Sequence, residues 1–375
     1  MSPPRIGAAQ LVPAGTAVAA VLAFHALGAK SLWRDEAMSV MVARLDWPTL
    51  WHRIGNEEAN GALYYLLLRC WMALGSGEQT VRALSAVFAV ASVPMVYALG
   101  RRLFGRDHAA VATLLLAVNA FVIRYAQEAR SYALALFLTT AASYLFLRAM
   151  DRPSAGRWAA YVVVGTLSVY AHFFAGLVVA VHFGFALHSA AAAGAAPRRI
   201  AAGAFGLMVA LVSPLLVPVL TVTHLEWVSR PSLRDFVGVF QSLAGAGGPL
   251  LLGAYFLACC AALAEMLRPR EGSRGASGRW RYGFLLAWLF LPVLASYLFS
   301  LLVKPVFVPR YLIVSLPPLV LLGAAGVVSL RPPWLRAGAL AVLVALSGCG
   351  DDDVRTATTS APAAQLPAPP AGDAT

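Results

Sequence analysis

Long apolar runs, interrupted only by short clusters of charge, constrain the fold of this chain more than any other feature. Several runs extend for about 18 residues or more, the length that a helix needs to cross a bilayer. Hydrophobic residues make up 60% of the 375 residues, charged residues only 12%, and the mean hydropathy is +0.72. A soluble core of this size would not be apolar along whole helices. The sequence therefore predicts an all-α integral membrane bundle of about 11 transmembrane helices over residues 1–349.

The loop of residues 30–80, between the first two predicted spans, has its own pattern. The first span, Ile6 to Ala29, is too long for a cleaved signal peptide and is predicted to be an anchor. Apolar residues then recur at helical spacing and are joined by Trp and Arg, which predicts short amphipathic helices at the membrane interface. The apolar stretch from Leu63 to Leu74 is predicted to be a further interfacial helix.

Three other segments are interpreted from their composition. Residues Ala109 to Ile123 predict one continuous third span. The seventh span is expected to reach His224 and to open a loop that runs through Asp235. Residues 350–375, rich in Ala, Pro and Thr, predict a disordered tail. The preceding Leu-Ser-Gly-Cys349 is similar to a lipoprotein signal, but its internal position favours chance or a disturbed reading frame over lipidation.

The distribution of basic residues predicts the orientation of the chain. If the N-terminus is inside, one face collects sixteen of the 29 basic residues but only four of the 17 acidic residues. The positive-inside rule then places the N-terminus in the cytoplasm and the loop of residues 30–80 outside. The net charge of +12 is thereby explained, so no nucleic-acid partner is indicated.

The predicted external loop opens on a dense charge cluster, Trp33-Arg-Asp-Glu36. Ionisable groups at the end of an apolar segment are costly to desolvate, so they usually pair or mark a functional site. Neighbouring helical residues point about 100° apart, so Asp35 and Glu36 cannot both face one substrate atom. One is predicted to be a general base, while the other pairs with an arginine or fixes the loop. The alternative for Asp35 is a helix cap.

Two more predicted external loops combine arginines with aromatic residues. Arg130 and Arg310 offer planar forks suited to phosphate oxygens, and neighbouring rings offer faces suited to sugars. The alternative for each arginine is a side chain that snorkels to lipid headgroups. A lone histidine such as His172 is more often structural than a ligand or base. The predicted substrate-binding residues are Glu36, Glu57, Glu58, Asn60, Tyr64, Tyr65, Tyr125, Gln127, Glu128, Arg130, Tyr132, His172, Lys304, Arg310 and Tyr311.

Several short motifs in order carry a family resemblance between Leu32 and Pro318. The chain resembles the GT-C superfamily of polytopic membrane glycosyltransferases, in the branch of protein O-mannosyltransferases and lipid A aminoarabinose transferases. Members often have a Pro-Pro pair where this chain has Gly61-Ala62. The motifs are Trp33-Arg-Asp-Glu36, Asn60-Gly-Ala-Leu-Tyr-Tyr65, Gly100-Arg-Arg-Leu-Phe-Gly105, Tyr125-Ala-Gln-Glu-Ala-Arg-Ser-Tyr132, Tyr170-Ala-His-Phe173 and Arg310-Tyr-Leu-Ile-Val-Ser-Leu-Pro317.

The resemblance implies a mannosyltransferase-like enzyme of the bacterial inner membrane, in contact with membrane lipids. Its donor would be a sugar on a polyprenyl phosphate, and its acceptor a glycan, lipid or protein on the outer face. Asp35 would be catalytic and would deprotonate the acceptor for inverting attack. Arg130, Arg310 and Lys304 would stabilise the leaving phosphate. Some relatives use a divalent metal, but no second acidic motif of the DxD type appears, so no obligatory ion or other cofactor is expected.

Two other functional classes compete with the enzyme. A transporter or flippase of a lipid-linked sugar would also need basic and aromatic groups, but it predicts ionisable residues near mid-membrane and internal repeats. The middles of the predicted spans are nearly free of charge, and no repeat is apparent. A non-catalytic envelope-assembly protein is the third class. The four cysteines show no metal-site or disulfide spacing.

Overall fold

The computed structural model describes residues 8–190, 195–215, 217–218, 228–245, 247–268 and 276–348. The predicted disordered tail and Cys349 lie outside these ranges, as does His224. Within them the chain is helical and contains no strand. The α-helices are α1 (Ala8–Phe24), α2 (Arg34–Arg44), α3 (Trp47–Asn56), α4 (Ala62–Trp71), α5 (Glu78–Leu103), α6 (Arg106–Ala117), α7 (Ala120–Ala126), α8 (Tyr132–Asp151), α9 (Ala155–Ala171), α10 (Ala175–Ala190), α11 (Ala195–Val212), α12 (Leu233–Ala244), α13 (Gly248–Leu267), α14 (Ala276–Leu302), α15 (Leu316–Ser329) and α16 (Pro333–Gly348). Short 3-10 helices cover Met72–Leu74, Ser213–Leu215 and Pro309–Ser315.

The described helices include six that are long and apolar enough to cross a membrane, and the bent pair α6–α7 would make a seventh. Four shorter apolar helices, among them Leu11–Phe24 and Ala175–Ser189, accompany them. These lengths are those expected of a multi-pass membrane protein. The predicted all-helical membrane architecture is confirmed, but the predicted count of about 11 spans is not.

Burial separates helices of similar hydropathy into central and peripheral ones. In the segment Pro309–Ser329, which contains α15, 89% of the apolar stretch is buried inside the protein, whereas in α13 only 17% is buried. A helix that is apolar all round is stable either inside the bundle or facing lipid. Gly326 lets the backbone of α15 touch that of α13, because a Cβ at this position would lie 1.8 Å from the Ala258 carbonyl oxygen. The core of the bundle therefore forms around α5, α8 and α15.

The predicted third span is not continuous, so that prediction is wrong. The chain bends by 58° between α6 and α7, at Asn119. The Asn119 carboxamide oxygen caps α7 by accepting from the Val122 N–H at 3.0 Å. Its amide nitrogen donates to the carbonyls of Leu243 and Ala244 at 3.0 and 2.9 Å, which ties the bend to the end of α12. A buried cap with three bonds breaks the span because it satisfies the freed backbone groups.

Helix α12 is absent from the sequence prediction, which placed Asp235 in a loop. Its N-terminus is a capping box: the Ser232 hydroxyl accepts from the Asp235 N–H at 3.3 Å, and the Asp235 carboxylate accepts from the Ser232 N–H at 2.7 Å. Val239 and Leu243, four residues apart, are buried on one face. The Ser-x-x-Asp capping pattern and the apolar spacing after it are both sequence signals that predict a helix.

The loop of residues 30–80 folds into the predicted short helices α2, α3 and α4. They enclose a small apolar cluster in which Val42, Leu50 and Leu68 are fully buried. Trp47 and Trp51 stay about half exposed, and their rings stack at 6.3 Å between centroids. The prediction of amphipathic helices in this loop is confirmed.

Candidate active site

Four segments converge on one end of α5 and α8. They are the N-terminus of α2, the turn of residues 127–131, the turn around His172 and the 3-10 helix Pro309–Ser315. The sequence placed these segments in three separate loops and one span end. The structure brings their charged and aromatic side chains together, within direct contact of one another.

Glu36 does not face the substrate side, which corrects its predicted binding role. Its side chain is fully buried, and both of its oxygens are occupied. Oε1 accepts from Arg82 Nε and from the Ala129 N–H, each at 2.8 Å. Oε2 accepts from Arg82 Nη2 at 2.7 Å and from the Trp33 N–H at 3.2 Å. Glu36 is thus the residue that pairs with an arginine, and it also caps α2.

Asp35 occupies the accessible side of the same helical turn. Glu36 accepts the Trp33 N–H, and no cap bond from the Asp35 side chain occurs among the described residues, so the alternative of an Asp35 cap is not supported. The Asp35 side chain keeps 29% of its surface exposed, and its Oδ2 lies 3.5 Å from Arg310 Nη2. The Arg310 guanidinium also lies over the rings of Trp33 and Tyr311, at 5.8 and 5.7 Å from their centroids. A reachable carboxylate therefore stands directly beside a mostly buried cation.

Arg130 is the second cation of the site. Its Nη1 lies 3.4 Å from the Asp35 carbonyl and 3.3 Å from Ser39 Oγ, both at hydrogen-bond distance. Its own carbonyl accepts from Ser85 Oγ at 3.0 Å, which fixes the turn to α5. Its Nε is buried without a hydrogen-bond partner among the described residues. Buried donors are usually satisfied, so this N–H is available to a bound acceptor.

Aromatic rings line the space around the two arginines. The Tyr132 ring contacts Tyr125 edge-on at 5.0 Å and stacks with Tyr311 at 6.3 Å. The ring of His172 lies 6.0 Å from Tyr132 and 5.2 Å from Tyr311. Tyr132 and His172 are almost fully buried, so these rings pack against one another around the arginines.

His172 is a neutral donor in this structure rather than a base. Its burial, assisted by Arg130 and Arg310, lowers its pKa to about 3. Its Nδ1 accepts from the Phe174 N–H at 3.3 Å, so the proton of the neutral ring resides on Nε2. That Nε2 is buried and has no partner among the described residues.

Glu128 lies beside the same cations but in a drier environment. Burial raises its pKa to about 7, against the opposing effect of Arg124 and Arg310. Its Oε1 is 3.5 Å from Arg124 Nε, and its Oε2 is buried without a hydrogen-bond partner in the described part of the chain. This carboxyl group can therefore hold or release a proton near neutral pH.

Two of the predicted binding residues face inward instead. Tyr64 and Tyr65 are almost fully buried. The Tyr64 hydroxyl shares a hydrogen bond of 2.8 Å with Ser85, and the Tyr65 hydroxyl donates to Glu58 at 2.7 Å. These side chains brace the site and do not offer a free polar atom to a substrate. Their predicted role as direct contacts is not supported by this geometry.

Four other predicted residues are bonded within the protein, two to their own helix and two to other segments. Glu57 pairs with Arg53 at 2.8 Å, one turn back on α3. The Asn60 carboxamide oxygen accepts from the Phe173 N–H at 3.0 Å, and Gln127 Nε2 donates to two carbonyls near the end of α1. Lys304 follows the end of α14, where its N–H donates to the Phe299 carbonyl. Of these, Asn60 and Gln127 position the turns that carry His172 and Glu128.

Arg82 is the site residue that sequence reasoning missed. It lies one residue into the predicted second span, within an apolar run. An ionisable residue inside a span is by default a functional-site candidate, and that signal was available. No cluster of three or more potential metal-ligating side chains occurs among the residues that the structure describes.

Comparison with known proteins identifies the fold. A family model described as dolichyl-phosphate-mannose-protein mannosyltransferase matches residues 60–217. The structure of ArnT from Cupriavidus metallidurans bound to undecaprenyl phosphate has a TM-score of 0.60 at 16% identity, covering 88% of this chain and 62% of that chain. Its apo state gives 0.59 at 19% identity, with 86% and 60% covered.

A second solved relative has the same fold. The oligosaccharyltransferase of Archaeoglobus fulgidus, in complex with Zn and sulfate, gives a TM-score of 0.54 at 15% identity, covering 91% of this chain and 53% of that chain. No curated protein matches the chain. The chain spans about 60% of the length of ArnT. Its fold is that of the GT-C membrane glycosyltransferases, and the resemblance predicted from the sequence is confirmed.

Proposed function

We propose that this chain transfers a monosaccharide from a polyprenyl-phosphate-linked donor to an acceptor hydroxyl, with Asp35 as the general base. The observation that carries the proposal is the accessible Asp35 carboxylate beside Arg310 and Arg130. A carboxylate can take up the acceptor proton, while the two guanidinium groups attract the phosphate of the donor.

Unsatisfied donors support a phosphate ligand between these arginines. Arg130 Nε and His172 Nε2 are both buried and lack partners in the described part of the chain. An oxyanion would satisfy them, and it would be held by charge-assisted and neutral hydrogen bonds together. The relative ArnT, whose structure contains undecaprenyl phosphate, supports a lipid-linked phosphate as the donor group.

The proposed reaction follows from the charges. Asp35 takes the proton of the acceptor hydroxyl, whose oxygen attacks the anomeric carbon as the bond to the carrier phosphate breaks. The configuration at that carbon inverts, and the released lipid phosphate keeps the electron pair. Arg130 and Arg310 stabilise the negative charge that grows on the phosphate, which is an electrostatic effect that a partly buried site strengthens. A leaving phosphate needs no general acid.

The finer identity follows the family match. We propose a mannosyltransferase-like hexosyl or pentosyl transfer to a glycan, lipid or protein of the cell envelope, on the extracytoplasmic face of the bacterial inner membrane. The description of the matching family supports a mannose-type donor, and the two exposed tryptophans of α3 support a location at the lipid interface.

The competing function is transport of a lipid-linked sugar. We would incorporate the purified protein into nanodiscs with polyprenyl-phosphate-linked mannose, glucose, arabinose and aminoarabinose in turn, with lipid, glycan and peptide acceptors. Release of the lipid phosphate with formation of a glycosylated product is the expected result for one of these donors. Absence of turnover with every donor, together with sugar translocation in sealed liposomes, would reject the enzyme in favour of a transporter.

A further inference from the structure

Among the residues that the structure describes, the side chain with the most hydrogen bonds is not the proposed base but Arg82. All of its five N–H donors are used. Two go to Glu36, and the others go to the carbonyls of Leu27, Lys30 and Ser31, at 2.7 to 3.0 Å. Arg82 is only 5% exposed and Glu36 is fully buried, so neither reaches a substrate. The pair joins α5 to the end of α1 and to the start of α2.

The partners of Glu36 are the immediate neighbours of the proposed site residues. Glu36 follows Asp35 directly, and the Ala129 N–H that it accepts precedes Arg130 directly. One carboxylate is thus bonded to both segments, through the Trp33 N–H at the start of α2 and the Ala129 N–H of the turn of residues 127–131. Ser85 lies one turn further along α5 than Arg82. It is not bonded to Glu36, but its hydroxyl donates to the Arg130 carbonyl.

A buried ion pair is weak evidence for stability, because desolvation offsets most of the Coulomb attraction. A hydrophobic pair of similar size would fill the same volume at little cost. What an apolar pair cannot do is bond simultaneously to two loops and to three carbonyls. The number and direction of these bonds therefore indicate that the pair fixes geometry.

We infer that Glu36 and Arg82 are positioning residues that set the distance between Asp35 and Arg130. This inference rests on the proposed function for its catalytic consequence, but its structural part does not. A misplacement of about 1 Å in a catalytic group can cost about 100-fold in rate. Loss of the Ala129 bond should therefore reduce kcat more than it raises KM for the donor.

The test compares Glu36→Gln with Asp151→Asn. Asp151, the last residue of α8, pairs with Arg102 at the opposite end of α5. This partly exposed ion pair supplies a matched loss of one carboxylate that pairs with an arginine of the same helix as Arg82. In Glu36→Gln we expect backbone amide hydrogen exchange at residues 129–130 to rise at least about tenfold, while exchange in α8 and α15 stays unchanged. We expect kcat to fall about 10- to 100-fold, with KM changed less than about threefold. Asp151→Asn should show neither effect.

Glu36→Gln leaves the Arg82 charge buried, which can prevent folding. Arg82→Lys is the second variant, because it keeps the charge beside Glu36 but loses the fork that reaches the three carbonyls. The same exchange and kinetic changes are expected in that variant. A folded Glu36→Gln or Arg82→Lys protein with wild-type exchange at residues 129–130 and wild-type kcat would overturn the inference. If the wild type transfers no sugar from any donor, the proposed function fails, and the exchange comparison still decides whether the pair holds the two segments together.

Discussion

Replacement of Glu128 by Gln should remove a pH dependence from the stability of the protein. Glu128 has an ordinary pKa of 4.5, and burial raises it to about 7 in the folded chain. The folded protein therefore keeps this proton to a higher pH than the unfolded chain does. Stability must fall as the pH rises from about 4.5 to about 7, since the folded state binds more protons over that range.

The magnitude follows from the size of the pKa difference. Each pKa unit corresponds to about 1.4 kcal/mol, so the free energy of unfolding should fall by up to about 3 kcal/mol across the window. The Glu128 side chain is only 13% exposed, so solvent screening removes little of this. Gln has the same shape but does not titrate. The Gln variant should consequently match the wild type near pH 4.5 and exceed it in stability at pH 8.

Denaturant titration in detergent micelles at pH 4.5, 6 and 8 measures this difference. Glu57→Gln is the matched control, because Glu57 forms a partly exposed ion pair with Arg53 on α3. That variant should follow the wild-type pH profile within about 1 kcal/mol. Parallel profiles for the wild type and Glu128→Gln would contradict this prediction, because Glu128 would then titrate equally in the folded and unfolded states.

Three further predictions follow from the fold and the site. Arg310→Lys keeps the charge beside Asp35 but loses the bidentate fork, so KM for the donor should rise about tenfold in steady-state assays, and an unchanged KM would argue against phosphate contact. Asn119→Ala removes the cap of α7 and both hydrogen bonds to the end of α12, so the free energy of unfolding should fall by about 2 to 4 kcal/mol. An unchanged unfolding midpoint would show that the bend between α6 and α7 does not depend on Asn119. Chelation with EDTA should leave transfer unaffected, and lost activity that is restored by a divalent ion would contradict a metal-independent site.

The sequence predicted the membrane class and the loop chemistry for a clear physical reason. Hydropathy and charge are properties of short sequence segments. Local patterns therefore predict the apolar spans, helices α2 to α4 and the acidic cluster. The adjacency of Asp35 and Glu36 also forced the prediction that only one of them faces a substrate. The structure assigns Asp35 to the accessible side and Glu36 to the buried pair.

The remaining features depend on long-range contacts. Asn119 breaks the third predicted span only because the end of α12, more than a hundred residues later, offers two carbonyls. Tyr64 and Tyr65 were predicted to bind substrate, but their hydroxyls form hydrogen bonds with Ser85 and Glu58. No local pattern specifies such partners.

Gly61-Ala62 stands where members of the family that the sequence resembles often have a Pro-Pro pair, and the backbone at Gly61 is one that favours glycine. Gly61 adopts a φ of 112°, in the left-handed region, whereas proline is restricted to a φ near −65°. The turn before α4 therefore differs from one that a Pro-Pro pair would build. It places Asn60 so that its carboxamide accepts from the Phe173 N–H and links this turn to His172.

Single-turnover kinetics of Asp35→Asn test the proposed role of Asp35 as the base of a sugar transfer. Asp46→Asn is the control, because Asp46 is an exposed acid of the same loop that caps α3, and Asn preserves a cap. With a reactive polyprenyl-phosphate-linked donor, we expect a rate about 100- to 10,000-fold lower for Asp35→Asn, with donor binding retained, and a wild-type rate for Asp46→Asn. A rate for Asp35→Asn within about threefold of the wild type would contradict it.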